Sequence, residues 1–433
     1  MWLMPHTRNW DCAMPPSYRN KSCCVVDNGL FVELAVTLSK SFGQVYYYSP
    51  WESAFPKSNE VLIGKGIPDV TRIDSIWPVL DAVDLWVFPD IYMGSLQHHL
   101  ADDLGKRVWG SREGEELELD RMASKRHLAR LGIPIGEHRA IKGLDKLREH
   151  LGTYDNQFVK ISRTRGDMET FYSTHYKIIE PRLDELEHSL GAKKRGMQFI
   201  VEDAIDDAVE VGYDGYSVDG MFPNQCMIGI EIKDKGYVGV IRSTEDMPQA
   251  ILSANAHLAG SLEAYQYRNF LSLEMRITRD LRGWVIDPCM RMGSPPGELA
   301  QVMYENLADI FWFGAQGILV EPVCKAKWGA ELLIHSEWAD KNWQAIDFPE
   351  EHREHYKFRN LTIMDGRYYV VPQSVGLPEI GAVLGLGDTM EEAITQCKEM
   401  ADQVEGHFIE IYPDSLDGAQ EEVAKLKEFG ITL

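Results

Sequence analysis

Residues 269–298 read NFLSLEMRITRDLRGWVIDPCMRMGSPPGE, and this stretch decides the fold. Leu271, Leu273 and Met275 alternate with Ser272, Glu274 and Arg276, the period of a half-buried strand. Asp280-Leu281-Arg282-Gly283 then turns the chain, and Trp284-Val285-Ile286 continues as a second, buried strand. Paired as a hairpin, the strands bring Glu274 and Asp287 toward one point, with Arg276 and Arg291 beside them. Two carboxylates flanked by guanidinium groups make a hard-oxygen cage suited to Mg²⁺ carrying nucleotide phosphates. A surface hairpin with a salt bridge explains the same residues, and on the pair alone that plainer reading is the better one.

The rest of the chain shifts the balance. Its 433 residues exceed one ordinary core, so about two to four domains or subdomains are expected. With 44 Lys and Arg against 67 Asp and Glu, the net charge of −23 argues against nucleic acid or anionic membrane as partner. No apolar run approaches the roughly 18 residues of a membrane helix. Residues 1–20 read as an irregular arm without a secretory signal's apolar stretch. Seven cysteines without CxxC or Cys/His spacing read as reduced thiols of a cytoplasmic protein.

Over 21–112, strands at 23–26, 44–48, 84–88 and 107–109 alternate with helices at about 31–42 and 96–104, which predicts a parallel α/β domain. No GxGxxG follows the first strand, so no dinucleotide site is expected there. The spacing predicts one helix over 113–131, whose charges, Lys125 included, read as a solvated face. Lys160 sits in an apolar strand, 158–162, where a lysine either snorkels from an edge or points at phosphate. The turn with Arg163, Arg165 and Gly166 favours phosphate.

A strand at 198–201 enters the acidic segment Glu202-Asp203-Ala204-Ile205 and then Glu210. That segment suits an adenine and ribose hinge, and it reads equally as an acidic loop. Strands at 216–219 and 227–232 follow, then a turn with Lys233. One helix is expected over 297–313. His335, His352 and His355 have no ligand pattern and read as ordinary histidines. After a strand at 383–388, Asp388 with Glu391 reads as the cap of a helix, and 416–429 as a last polar helix.

In this order the pieces resemble the ATP-grasp superfamily, most closely its phosphoribosylamine–glycine ligase and biotin carboxylase-like branch, from about residue 25 to 410. The stretches that carry the resemblance are VFPD with GKRVWGS, DRMASKRHLARLGIP, FVKIS, FIVEDAIDDAVEV, LEMR with VIDPCMRMGSP, and AVLGLGDTMEEAI. It implies a pre-grasp domain over 21–112, a grasp domain over 113–320 with a lid at about 137–201, and a C-terminal domain over 321–433.

It also implies roles. Lys125 and Lys160 would meet phosphate, Glu202, Asp203, Ala204 and Ile205 the base, and Glu210 the ribose. Lys233 and Asp219 would lie near nucleotide or acceptor. Glu274 and Asp287 would hold Mg²⁺ or Mn²⁺, while Arg291, with Lys160, would act on the acylphosphate. The chemistry implied is ATP-dependent joining of a small carboxylate to an amine by a monomer or homodimer. Two rivals share the scaffold: a carboxylase or phosphoryl-transfer relative, and a nucleotide-binding or assembly protein without turnover. This chain departs from the family pattern at Cys289, where the metal-binding Asn is expected, leaving that position to water, to Asp287 in bidentate mode or to another residue such as Glu298. It also departs in the lid turn, where Arg163 and Arg165 stand among fewer glycines.

Overall fold

The computed structural model describes residues 18–50, 62–161, 170–372 and 379–433. Most of the N-terminal arm and the turn with Arg163, Arg165 and Gly166 lie outside the described residues. Among the described residues the architecture is mixed α/β, with one parallel and three antiparallel sheets.

The parallel sheet orders its strands Val70–Arg72, Phe42–Tyr48, Tyr18–Val26, Leu85–Val87, Val108–Trp109. Cys23 to Val26 and Leu85 to Val87 are almost fully buried, as continuous apolar runs in a sheet covered on both faces should be. Its first strand begins at Tyr18, within the expected arm. Tyr18 stacks on Phe42 at 5.0 Å and its hydroxyl donates to Asp309 at 2.6 Å, which fixes 18–20 in the sheet.

The central sheet has eight antiparallel strands in the order Gly283–Cys289, Arg268–Thr278, Ala208–Val218, Gln225–Ile232, Gly236–Ser243, Trp328–His335, Glu379–Gly387, Tyr356–Phe358. Val211, Tyr213, Leu273, Met275 and Val285 form one core with Ile251, Leu258 and Leu262 of the helix Gln249–Ala264. A smaller sheet, His138–Lys142, Gln198–Asp203, Gln157–Ile161, Thr170–Ser173, carries its own core. There Val159, Ile161, Phe199 and Val201 pack with Leu147 and Leu183 of the helices Leu144–Leu151 and Tyr176–Leu190. A third antiparallel sheet lies on the C-terminal side.

Several expected helices are broken. The 113–131 helix is a 3₁₀ turn, a short helix Glu116–Leu119 and a helix Arg121–Arg130. Asp120 leaves helical geometry between them, and its carboxylate accepts from the Ala123 N–H at 2.9 Å, a cap worth about 1 kcal/mol. The 297–313 helix divides into Gly297–Met303 and Leu307–Gly314, because Tyr304 is extended and bridges to Cys324. The 96–104 helix is Gly94–His98 followed by a π turn, and the last one a 3₁₀ turn followed by Ala419–Glu428. Near 388 the cap is Thr389 with Glu392, one residue beyond the expected pair, since the Thr389 hydroxyl accepts the Glu392 N–H.

Candidate active site

Glu274 and Asp287 are directly opposed in the ladder between Arg268–Thr278 and Gly283–Cys289. Strict alternation would put Asp287 on the core side with Val285. The ladder instead pairs Met275 with Val285 and Glu274 with Asp287, leaving Ile286 as an extra residue. This bulge resets the parity, so Asp287 and Cys289 share a face with Glu274 and Ser272. The Ile286 carbonyl accepts from Lys125 Nζ at 3.3 Å.

Lys160 and Glu202 come from the small sheet. Their neighbours Val159, Ile161 and Val201 point into that sheet's own core, so alternation turns Lys160 and Glu202 the other way. An unbroken chain of charge results. Glu202 meets Lys125 at 2.5 Å and Lys160 at 3.2 Å, and Lys160 meets Asp287 at 2.7 Å. Both lysines and Glu202 are almost fully buried. Arg121 donates to the Ile161 carbonyl at 2.9 Å and adds positive field at Asp287.

The electrostatics split the carboxylates. Burial, reinforced by Glu210 and Asp287, pushes Glu274 up to about 8 against the pull of Lys160. Burial acts on Asp287 too, but Lys160, Arg121 and Lys125 outweigh it and hold Asp287 below its ordinary value. Burial lowers and Asp287, Glu202 and Glu274 raise Lys160, with a net rise. At neutral pH the opposed pair therefore carries close to one negative charge, and Lys160 is an ammonium.

These residues fit a hard divalent cation. A cation between Glu274 and Asp287 would offset the burial, and the repulsion from Glu210 and Asp287, that together keep Glu274 protonated. Among the described residues no three His, Cys, Asp or Glu side chains converge as a ligand set. Two carboxylates would hold such a cation, with phosphate oxygens and water at its other positions. Cys289 shares the face but carries a soft thiol, a poor partner for Mg²⁺.

Other expected residues are more dispersed. Glu210 lies 3.6 Å from Arg276 and is raised by burial against Arg276 and Lys233. Lys233 is exposed in the turn before Gly236–Ser243. In the expected hinge, the Asp203 and Ala204 N–H groups already donate to the Glu137 and Asn156 carbonyls. Those two N–H groups are therefore committed within the protein, and Glu202 acts through its side chain. Ile205 is half-buried beside Gly136. Asp219 stands at the other end of the Ala208–Val218 strand, roughly 30 Å from Glu210 along it, held by Arg268 at 2.8 Å, so it is away from this cluster.

Arg291 joins the sheet to the parallel domain, reaching Asp90 at 3.1 Å and Glu118 at 3.3 Å. Glu298 is held by partners outside the Glu274 and Asp287 pair: Ser294 donates to it and Arg359 Nε lies 3.8 Å off. Sequence reasoning missed this second buried cluster. Arg359 also donates to Ser294 at 2.8 Å and Glu379 at 3.1 Å, a geometry able to take a carboxylate. Its members are scattered over 294–379, and no local pattern links them. A separate open cleft of about 870 Å³, lined by Lys325, Glu354, His355 and Glu392 among others, lies away from the charged chain.

No family model matches the sequence, and no curated protein matches it. Solved structures do match in fold. Phosphoribosylamine–glycine ligase from Thermotoga maritima aligns at a TM-score of 0.66 with 16% identity, over 90% of this chain and 98% of that one. Biotin carboxylase from Campylobacter jejuni, in a β-γ-ATP complex, aligns at 0.62 with 13% identity, over 92% and 95%. L-amino acid ligase from Bacillus licheniformis aligns at 0.58 with 14% identity, over 90% and 99%. All are ATP-grasp enzymes, and the chain has the ATP-grasp fold.

Proposed function

We propose that the chain is an ATP-dependent carboxylate–amine ligase. One observation carries this reading: two buried lysines from different subdomains converge, through Glu202, on the opposed pair Glu274 and Asp287. Lys125 and Lys160 hold ATP phosphates, exchanging their bonds to Glu202 and Asp287 for bonds to phosphate oxygens. Glu274 and Asp287 hold Mg²⁺, which when bound neutralises charge on the transferring phosphoryl group.

A substrate carboxylate oxygen attacks the γ-phosphorus, and the bond to ADP breaks. An amine nitrogen then attacks the acyl carbon and gives up a proton, and phosphate leaves. Arg291, fixed by Asp90 and Glu118, orients the acylphosphate oxygens. Glu202 to Ile205 and Glu210 line the base and ribose end, with Lys233 at its rim. Neutralisation and alignment drive such a transfer, so no covalent nucleophile of the protein is required.

Cys289, a thiol on the metal face, supports a second reading in which nucleotide binds without turnover. One experiment separates the two. ADP release is followed with MgATP and pooled carboxylates and amines, for wild type and Asp287→Ala. Substrate-dependent release that falls about 100-fold or more in the variant supports the ligase. A melting shift with MgATP and no release supports binding alone, and no melting shift refutes both.

A further inference from the structure

Lys357 stands in the edge strand Tyr356–Phe358 of the central sheet. Tyr356 and Phe358 both pack on Phe348, with ring centroids 5.0 Å apart, so alternation sends Lys357 to the opposite face. There its cross-strand partner Ala382 packs with Leu299 and Val302 of the helix Gly297–Met303. The helix Val32–Ser39 of the parallel domain packs against the same strand, and Lys357 is left 5% exposed. Val302 and His355 line the open cleft of about 870 Å³, so the amine lies beside that cleft.

Among the described residues Lys357 has no hydrogen-bond or ion-pair partner, an unusual state for a buried ammonium. Its charged neighbours are Glu33, Lys40, Arg353 and Glu354. Glu33 meets Arg353 at 2.6 Å and Glu354 meets Lys325 at 3.2 Å, which leaves Lys40 as the unbalanced charge. Burial pushes the Lys357 amine down to about 8, with Arg353 and Lys40 adding to it against Glu33 and Glu354. His355 is also pushed down, by burial first, and its Nδ1–H donates to the Leu384 carbonyl at 2.9 Å. These surroundings disfavour a second cation and favour a neutral amine or an anion. A desolvated neutral amine is a nucleophile, and burial this deep admits only a small, uncharged electrophile.

We propose that Lys357 is a carbamylation site that takes carbon dioxide. The amine nitrogen attacks the carbon, an N–C bond forms, one C–O π pair moves onto oxygen, and an N–H proton passes to water. The product anion is the counter-charge that Lys40 lacks. It keeps one N–H, a donor for the second Glu33 oxygen, which is buried without a partner. The reaction places a negative charge between the parallel domain and the central sheet.

The test is ¹³C NMR of the full chain, without nucleotide, equilibrated with ¹³CO₂ at one fixed pressure at pH 8 and at pH 6. Wild type is compared with Lys357→Arg and Lys357→Met. The expected result is a protein-bound carbamate resonance at pH 8 that is lost from both variants. At pH 6 it should be at least about tenfold weaker, since each pH unit below 8 removes roughly tenfold of the free amine. Absence of the resonance from wild type overturns the inference. So does its persistence at full intensity in a folded variant, because it then belongs to the terminal amine or to surface lysines. Trapping the adduct on wild type with triethyloxonium ion and locating it by peptide mass spectrometry decides the matter even if neither variant folds. An adduct found only at other amines refutes the assignment.

Discussion

Glu274→Gln removes a carboxyl whose ionisation the fold opposes. In the folded chain this group titrates near 8 rather than at its ordinary 4.5. Between those values the folded state keeps a proton that the unfolded state has released. Its contribution is therefore most favourable below about pH 4.5 and is lost as pH rises toward 8. Each pH unit in that window costs up to about 1.4 kcal/mol, so the sum at pH 7 is on the order of 3 kcal/mol. Solvent at the half-buried edge of the side chain trims this to about 2 kcal/mol. Urea denaturation of wild type and Glu274→Gln, without divalent cation, from pH 5 to 8 reads the term directly. Asp27 and Asp214, near 6, and Glu231, near 7, titrate in both proteins and largely cancel in the difference. The variant should gain on wild type steadily with pH. Parallel profiles would refute the argument, because Glu274 would then be ionised like any exposed carboxylate.

Lys160→Met strips the cation from two carboxylates that stay behind, Asp287 and Glu202. A loss of about 3 kcal/mol at pH 7.5 in urea is expected, with weaker ADP binding by calorimetry, and a loss under about 0.5 kcal/mol would mean solvent screens the pair. Arg291→Ala removes the cation that Asp90 and Glu118 share where the sheet meets the parallel domain. It should cost a similar amount, with Arg291→Lys recovering only part because one ammonium cannot fork to two carboxylates; full recovery would contradict this. Tyr237→Phe deletes the donor to Asp214 at 2.5 Å and should cost about 1–3 kcal/mol while raising the pH at which Asp214 titrates, followed by carboxyl NMR; an unmoved titration would show the bond to be idle.

What could be read from the residues depended on how local the cause was. Alternation in 269–278 and 158–161 was enough to place Glu274 and Lys160, because each strand has one apolar face with a core to fill. Asp287 was brought to Glu274 on a looser argument, since strict alternation contradicts it and the bulge at Ile286 has no local signature. Helix ends at Asp120 and Tyr304 were missed because cap and bridge depend on backbone geometry, and both segments keep a helical pattern through the break. The bridging role of Glu202 was present in the alternation against Phe199 and Val201, and the expectation of a backbone hinge obscured it. Arg359, Ser294 and Glu379 meet only through the tertiary fold. Arg163, Arg165 and Gly166 lie outside the described residues.

The separate core of the 138–203 sheet has a consequence for exchange with solvent. Leu147, Leu183, Phe199 and their neighbours close on one another, while Lys160 meets Asp287 of the central sheet, Glu202 meets Lys125 and Arg121 meets the Ile161 carbonyl, all polar links. Such a unit can open as a whole without disturbing the larger core. Its amide protons should then exchange as one cooperative group, at a lower free energy than those of Ala208–Val218 or Arg268–Thr278. The gap between the two groups measures the strength of the ionic seam between them.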